Sequence, residues 1–109
     1  MLRITGGFIV VAALWACGQS FSPAPTPAVI ASMPDTIPCS RAVMVQARDE
    51  HKGPEAERNW LDAYYPRHGD HRQALHIEGA KRFDVLSFKR ENGRDASVCF
   101  DVTSFYGRF

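Results

Sequence analysis

The sequence lacks an excess of charge of either sign. Lysine and arginine together number 13, aspartate and glutamate number 12, and the formal net charge is +1. Proteins that bind nucleic acid usually carry a basic patch or stripe. The balanced charge therefore argues against a nucleic-acid partner. A glycine-rich phosphate loop is also absent, and 109 residues leave room for one small domain.

The sequence has no apolar run long enough for a permanent transmembrane helix. The longest such stretch, from Ile4 to Ala16, has about 13 residues, whereas a bilayer core needs about 20. Arg3 precedes the stretch and Cys17 follows it. A positive start, a short apolar segment and a cleavage site in this order are typical of a signal peptide.

The sequence Leu14-Trp15-Ala16-Cys17 resembles the lipobox of bacterial lipoproteins, in which an aliphatic and two small residues precede a cysteine. Trp15 is larger than the residue usual at its position. The resemblance implies a signal peptide over residues 1–16 and a mature chain that begins at a lipidated Cys17. Gly18 in place of aspartate further implies sorting to the bacterial outer membrane, with the domain facing the periplasm. The alternative is that Cys17 ends an ordinary signal peptide or an uncleaved anchor.

Residues 17–38 form a stretch rich in proline that separates this anchor from the domain. Five of the seven prolines lie here, and Asp35 is the only charged residue. Such a composition is typical of a semi-rigid tether, which when extended would reach about 60 Å. A proline-rich ligand for another domain is the alternative.

The remaining cysteines fit the compartment that the lipoprotein resemblance implies. With Cys17 lipidated, Cys39 and Cys99 are left as a pair in an oxidising environment. We expect a disulfide between them, worth up to about 4 kcal/mol for a loop of this length. Two buried thiols are the alternative. A small domain of residues 39–109 needs such a link.

Two helices are predicted at the start of this domain. Ser40 can cap a helix over residues 41–52, which Gly53 would end, although residues 42–45 are rich in strand-favouring residues and make a strand the alternative. Pro54 suits the first turn of a second helix. Residues at helical spacing form its apolar face, and Pro66 follows its end: Ala56, Trp60, Ala63 and Tyr64.

Three strands are predicted after the helices. Residues 74–78 alternate in polarity, and residues 82–90 and 95–102 flank Asn92-Gly93, a strong hairpin signal. We expect a three-stranded antiparallel meander, and hence an α+β fold of two N-terminal helices, this meander and one disulfide. A two-residue turn at Asn92-Gly93 would place Phe83 opposite Val102 and Val85 opposite Phe100 on an apolar face.

The same register places Asp84 opposite Asp101. Like charges that face each other on a sheet destabilise it unless something compensates. Salt bridging to Arg82 or solvation is the preferred interpretation. A bound cation, a shared proton in a catalytic pair and a bulge that shifts the register are the alternatives.

His68, Asp70 and His71 form a second weak candidate for a metal site, because imidazole and carboxylate suit zinc. Their spacing is poor, since no ligand recurs four residues on along a helix. A solvated loop is therefore preferred, and no cofactor is expected.

The chain end from Phe100 to Phe109 is aromatic and resembles the ends of small bacterial envelope proteins. Phe105 and Phe109 are expected to fold back on the core. Alternatively, Phe105, Tyr106 and Arg108 form an exposed patch of the residue types enriched at interface hot spots.

These patterns together predict an envelope lipoprotein that binds a partner protein as an assembly accessory, inhibitor or immunity factor. With its cysteines lipidated or paired, the chain offers no thiol nucleophile, and we expect no enzymatic activity. A periplasmic domain that binds a cation or small ligand is the alternative function, and a hydrolase is the third.

Overall fold

A computed structural model describes residues 24–108 of the chain. These residues form an α+β fold of helices on a mixed sheet. The elements in chain order are α1 (Pro27–Ala31), β1 (Thr36–Ile37), a 3-10 helix (Cys39–Arg41), β2 (Val43–Met44), α2 (Gly53–Tyr64), β3 (Arg72–Glu78), β4 (Lys81–Lys89) and β5 (Asp95–Asp101). The predicted fold class is confirmed at this level, but the arrangement differs from the prediction.

The sheet has the strand order β1-β5-β4-β3, with β2 also paired to β5. The antiparallel meander of β3, β4 and β5 is present as predicted. The two short strands β1 and β2 were not part of the predicted sheet. Both run parallel to β5 along its outer side, with Thr36 opposite Ser97 and Val43 opposite Phe100.

The predicted helix over residues 41–52 is wrong. The chain instead forms the 3-10 helix and β2, followed by bends and turns. The valines of this segment favour extended backbone because their branched side chains lose freedom in a helix. Pairing of Val43 and Met44 with β5 then outweighs the helix signal of Ser40 and Gly53.

The second predicted helix is α2. Pro54 lies in its first turn, where the missing N–H is not needed. The backbone N–H of Tyr65 donates to the carbonyl of Leu61 at 2.8 Å and closes the C-terminal end. Of the predicted apolar face, Ala56, Trp60 and Tyr64 pack against the core, whereas Ala63 is exposed.

The predicted register of the β4–β5 hairpin is wrong by one residue. The backbone N–H of Arg90 donates to the carbonyl of Arg94 at 2.8 Å, so residues 91–93 form the loop. Gly93 has a φ of 87°, as a three-residue loop with a left-handed glycine requires. The extra loop residue places Asp84 opposite Phe100, and Asp101 opposite Phe83.

A one-residue slip exchanges the two faces of a strand. The face that α2 covers therefore carries Leu86 and Phe88, not Phe83 and Val85. Trp60 of α2 meets Phe100 edge to face at 5.4 Å between ring centroids. The buried core consists of Val45, Leu61, Tyr65, Leu86, Phe88, Ala96, Val98, Phe100, Val102 and Phe105.

The disulfide between Cys39 and Cys99 is confirmed and closes a sequence separation of 60 residues. Residues of the predicted tether also join the sheet. Asp35, just before β1, receives hydrogen bonds at 2.8 Å from Arg90 and from Arg94. Sheet pairing and this double ion pair thus fix the stretch next to Cys39.

Candidate functional site

Glu57 lies on the buried face of α2. Gly53, Glu57 and Leu61 follow one another at four-residue spacing and are all buried, because residues four apart share one face of a helix. The Glu57 side chain is only 1% exposed. Among the described residues, no hydrogen-bond donor reaches either of its carboxyl oxygens.

Asp84 brings a second carboxyl group into the same apolar layer. It lies on β4 between Phe100 of β5 and Leu75 of β3, on the face that α2 covers. Asp84 is 8% exposed. The shifted register explains this burial, because it moves Asp84 from the predicted outer face to the core face.

The two carboxyl groups are close enough to influence each other. Burial of the charged form, followed by the neighbouring Asp84 carboxyl, raises the pKa of Glu57 to about 9. Glu57 therefore keeps its proton at neutral pH. A protonated carboxyl beside a second carboxyl can donate a hydrogen bond or release its proton when a cation arrives.

Arg82 does not compensate Asp84, although it lies on the same face of β4. Its guanidinium donates to the backbone carbonyls of Gly79 and Lys81. The same group lies over the ring of Tyr106, 5.7 Å from the ring centroid. None of the salt bridges within residues 24–108 involves Asp84 or Glu57.

Asp84 lines a cavity of about 300 Å³ between the start of α2, the C-terminal turn and β3. The walls are mostly apolar, two of the lining side chains are acidic, and none is basic. The lining residues are Glu50, Pro54, Gln73, Leu75, Asp84, Val102, Phe105 and Tyr106. The cavity thus combines apolar walls with the carboxyl groups of Asp84 and Glu50, and we call it the acidic cavity.

The strand beside this cavity is an edge of the sheet. β3 pairs only with β4 among the described strands, and all seven of its residues are exposed. Leu75 and Ile77 are 46% and 54% exposed. The helix α2 thus leaves the apolar side chains of this edge uncovered.

A larger cavity of about 430 Å³ lies at the other end of β4 and β5. Its charged lining residues include Lys89 and Asp95, which pair with each other at 2.8 Å. The acidic cavity differs because no cationic side chain within residues 24–108 forms a salt bridge with Asp84. We therefore treat the acidic cavity and the β3 edge as the candidate site.

The structure separates Asp84 and Asp101, which the sequence predicted to face each other. Asp101 lies on the sheet face opposite Asp84, and its Oδ1 accepts a hydrogen bond from the Thr103 N–H at 3.0 Å. The pairing is wrong because the hairpin loop has three residues, not two. Asp101 thus closes a local turn after β5.

The three residues of the second metal candidate are not brought together as ligands. His68 Nε2 lies 2.7 Å from Asp62 Oδ1, and the rings of His68 and His71 are 6.4 Å apart between centroids. Across residues 24–108 no three histidine, cysteine or acidic side chains are placed to hold one metal ion, Asp70 included.

The predicted C-terminal patch is divided between core and surface. Phe105 is 3% exposed and belongs to the core, as the fold-back interpretation predicted. Tyr106 is 41% exposed and lines the acidic cavity. Arg108 is exposed, and its carbonyl accepts a hydrogen bond from the Glu50 N–H at 2.7 Å. Phe109 lies outside the described residues.

No family model, curated protein or solved structure matches this chain. The predicted signal peptide and Cys17 lie outside the described residues. No helix in residues 24–108 is long and apolar enough to cross a bilayer.

Sequence reasoning missed Glu57. Its position was visible, because it lies four residues before Leu61 and next to Ala56 on the predicted apolar face. A glutamate near the start of a helix is also favoured by the helix dipole, so the residue did not stand out. Its proximity to Asp84 depends on the β4–β5 register, which was predicted one residue in error.

Proposed function

We propose that this chain is a bacterial outer-membrane lipoprotein whose periplasmic domain binds an extended segment of a partner protein along β3. The protein is non-enzymatic in this proposal, and the partner is an envelope protein. The observation that carries the binding proposal is the exposed edge of β3 with its uncovered apolar side chains, Leu75 and Ile77.

An exposed edge strand offers backbone N–H and C=O groups to another chain, and native proteins usually protect such edges. A peptide that adds to the edge gains main-chain hydrogen bonds, while its alternate side chains enter pockets. β3 offers both an unpaired backbone edge and side-chain contacts, since its own Leu75 and Ile77 are exposed and the acidic cavity lies beside it.

The partner segment should itself be extended and carry apolar side chains at alternate positions. Leu75 and Ile77 are two residues apart and therefore lie on the same face of β3. A strand paired with β3 would place its own alternate residues beside them on that face. Such contacts cover apolar surface that α2 does not reach.

The lipid anchor rests on the sequence pattern from Arg3 to Cys17. The structure supports the attachment of the tether to the domain at one end. β1 pairs with β5 at one edge of the sheet, and Asp35 binds Arg90 just before β1. β3 lies at the opposite edge. A tether fixed at one edge leaves the other edge accessible to a partner.

The alternative function is a periplasmic domain that binds a cation or small ligand through Asp84 and Asp101, or through His68, Asp70 and His71. Asp84 and Asp101 lie on opposite faces, and within residues 24–108 no three such side chains are placed to hold one metal ion. We do not adopt it.

The test is site-specific photo-cross-linking in cells that make the full-length protein. A photoreactive amino acid at Ile77 should give one reproducible protein adduct. The matched control places the same photoreactive amino acid at Val29, which is also exposed and apolar but lies on α1. The cross-linked segment is then synthesised and added to the full chain in detergent.

Hydrogen exchange gives the decisive measurement. Addition of the segment should slow exchange of the β3 amides, and Ile77→Lys should abolish this protection while Val29→Lys leaves it intact. Unchanged exchange at β3 would refute strand addition. Adducts that contain only a second copy of the chain would show that the edge serves self-association.

A further inference from the structure

The acidic cavity contains a carboxyl group that forms no salt bridge with any described basic residue. Asp84 is more than nine-tenths buried, lines the cavity and has no ion-pair partner among the described residues. The neighbouring Glu57 is itself acidic and supplies no countercharge to Asp84. Buried acidic groups without a partner are costly, since burial of a charge is compensated only by pairing or protonation.

The shape and chemistry of the cavity favour a cation with an apolar stem. Leu75, Val102 and Phe105 form apolar walls, while Asp84 supplies the carboxyl group. Lysine and arginine side chains have this character, because a methylene stem carries the charged end. A metal ion is less suited, because no three histidine, cysteine or acidic side chains within residues 24–108 are placed to hold one.

The distance from the β3 edge also selects a long side chain. Asp84 lies on β4, one strand in from β3. A segment added to β3 would therefore be two strand spacings, or about 10 Å, from β4. Lysine and arginine have stems long enough to cross Leu75 and approach Asp84.

We propose that the acidic cavity binds a lysine or arginine side chain, with the charged end against Asp84 and the stem along Leu75 and Phe105. The proposal rests on the proposed function for the source of this side chain, which is the segment added to β3. It goes further by assigning a specificity position, so that partner segments with a basic residue facing the cavity bind more tightly.

The first test uses the full chain in detergent micelles and a small probe, n-butylammonium chloride. Side-chain NMR signals of Asp84 and Gln73 are followed during titration, and n-butanol is the neutral control. We expect saturable shifts with n-butylammonium and at least about tenfold weaker binding of n-butanol. Equal binding of the two probes would overturn the proposal.

Variants then locate the charge. Asp84→Asn should weaken n-butylammonium binding by at least about tenfold, whereas Asp101→Asn on the opposite face should leave it unchanged. Retained binding in a folded Asp84→Asn protein would count against the proposal. The comparison of the two probes on the unaltered protein decides the question if that variant does not fold.

A pair of peptides separates this proposal from strand addition. The first is Ac-Ser-Val-Thr-Lys-Thr-Val-Ser-NH2, and the second has norleucine in place of lysine. We expect the lysine peptide to bind the unaltered protein more tightly than the norleucine peptide does. The two peptides should bind the Asp84→Asn protein equally. Equal affinity for the unaltered protein would refute a role for the basic side chain. Binding of n-butylammonium but of neither peptide would refute strand addition by such segments and support only the binding of a cation in the acidic cavity.

Discussion

Asp84 of β4 faces the buried side of α2, where its carboxyl group helps to raise the pKa of Glu57. Two acidic side chains thus share the apolar layer between helix and sheet, and none of the described basic residues pairs with either. The arrangement makes this domain sensitive to pH from within its core.

Glu57→Gln should remove a pH dependence of folding stability. The pKa of Glu57 is about 9 in the folded chain against an ordinary value of 4.5. The folded state therefore keeps a proton that the unfolded chain loses above about pH 4.5, so this group lowers stability as pH rises from there to about 9. The loss is about 1.4 kcal/mol per pH unit, or about 3 kcal/mol between pH 5 and 7.

Urea unfolding followed by circular dichroism at several pH values measures this slope. Glu57→Gln should flatten it and raise stability at neutral pH. Glu55→Gln changes an exposed glutamate of the same helix and is the control. An unchanged slope in Glu57→Gln would show that Glu57 is not the titrating group.

Asp84→Asn should lower the pKa of Glu57. The neighbouring Asp84 carboxyl is the second cause of the raised value, and burial is the first. The new pKa should therefore remain above the ordinary value of 4.5. An NMR titration of the Glu57 carboxyl carbon measures it, and Asp101→Asn should leave it in place. Insensitivity to Asp84→Asn would mean that burial alone raises this pKa.

Gly93→Ala should destabilise the β4–β5 hairpin. Gly93 has a φ of 87°, which an alanine side chain opposes. The expected cost is about 1–2 kcal/mol. Gly69→Ala is the control, because the added methyl would lie 3.7 Å from the nearest atom and Gly69 needs no positive φ. Equal stability of both variants in urea would contradict the assigned loop.

Gly53→Ala should also lower stability, because the added methyl would lie 2.5 Å from a ring carbon of Phe105. Overpacking of this kind costs about 1–3 kcal/mol. The double variant Gly53→Ala, Phe105→Leu tests the cause, since a smaller residue removes the clash. The double variant should lose less stability than the sum of the two single losses, and the difference is a measurable coupling energy. Strict additivity would show that Phe105 is not the obstacle.

The elements predictable from sequence are those with signals inside one short segment. Pro54 and Pro66 bracket α2, and Asn92-Gly93 marks the β4–β5 hairpin. The strands β1 and β2 have only two residues each, and their parallel partner lies about 60 residues away in sequence. No local pattern signals such pairing.

The candidate site was predictable only in part. Asp84 was recognised as an unusual acidic residue in a strand, but its neighbour was taken to be Asp101. Whether the hairpin loop has two or three residues decides this, and Asn92-Gly93 suits both. The shift of one residue in register thus places Asp84 next to Glu57, on the sheet face that α2 covers, where it lines the cavity beside β3.

The disulfide determines how a pull on the N-terminal side is transmitted through the domain. Tension would reach Asp35 first, with its ion pairs to Arg90 and Arg94, and then β1, whose two residues pair with Ser97 and Val98. Peeling would stop at Cys39, because its covalent link to Cys99 transfers the load directly to β5. The load would then cross the long β5–β4 and β4–β3 ladders toward the opposite edge. The sheet can thus serve as a mechanical coupling between a tether and anything attached to β3.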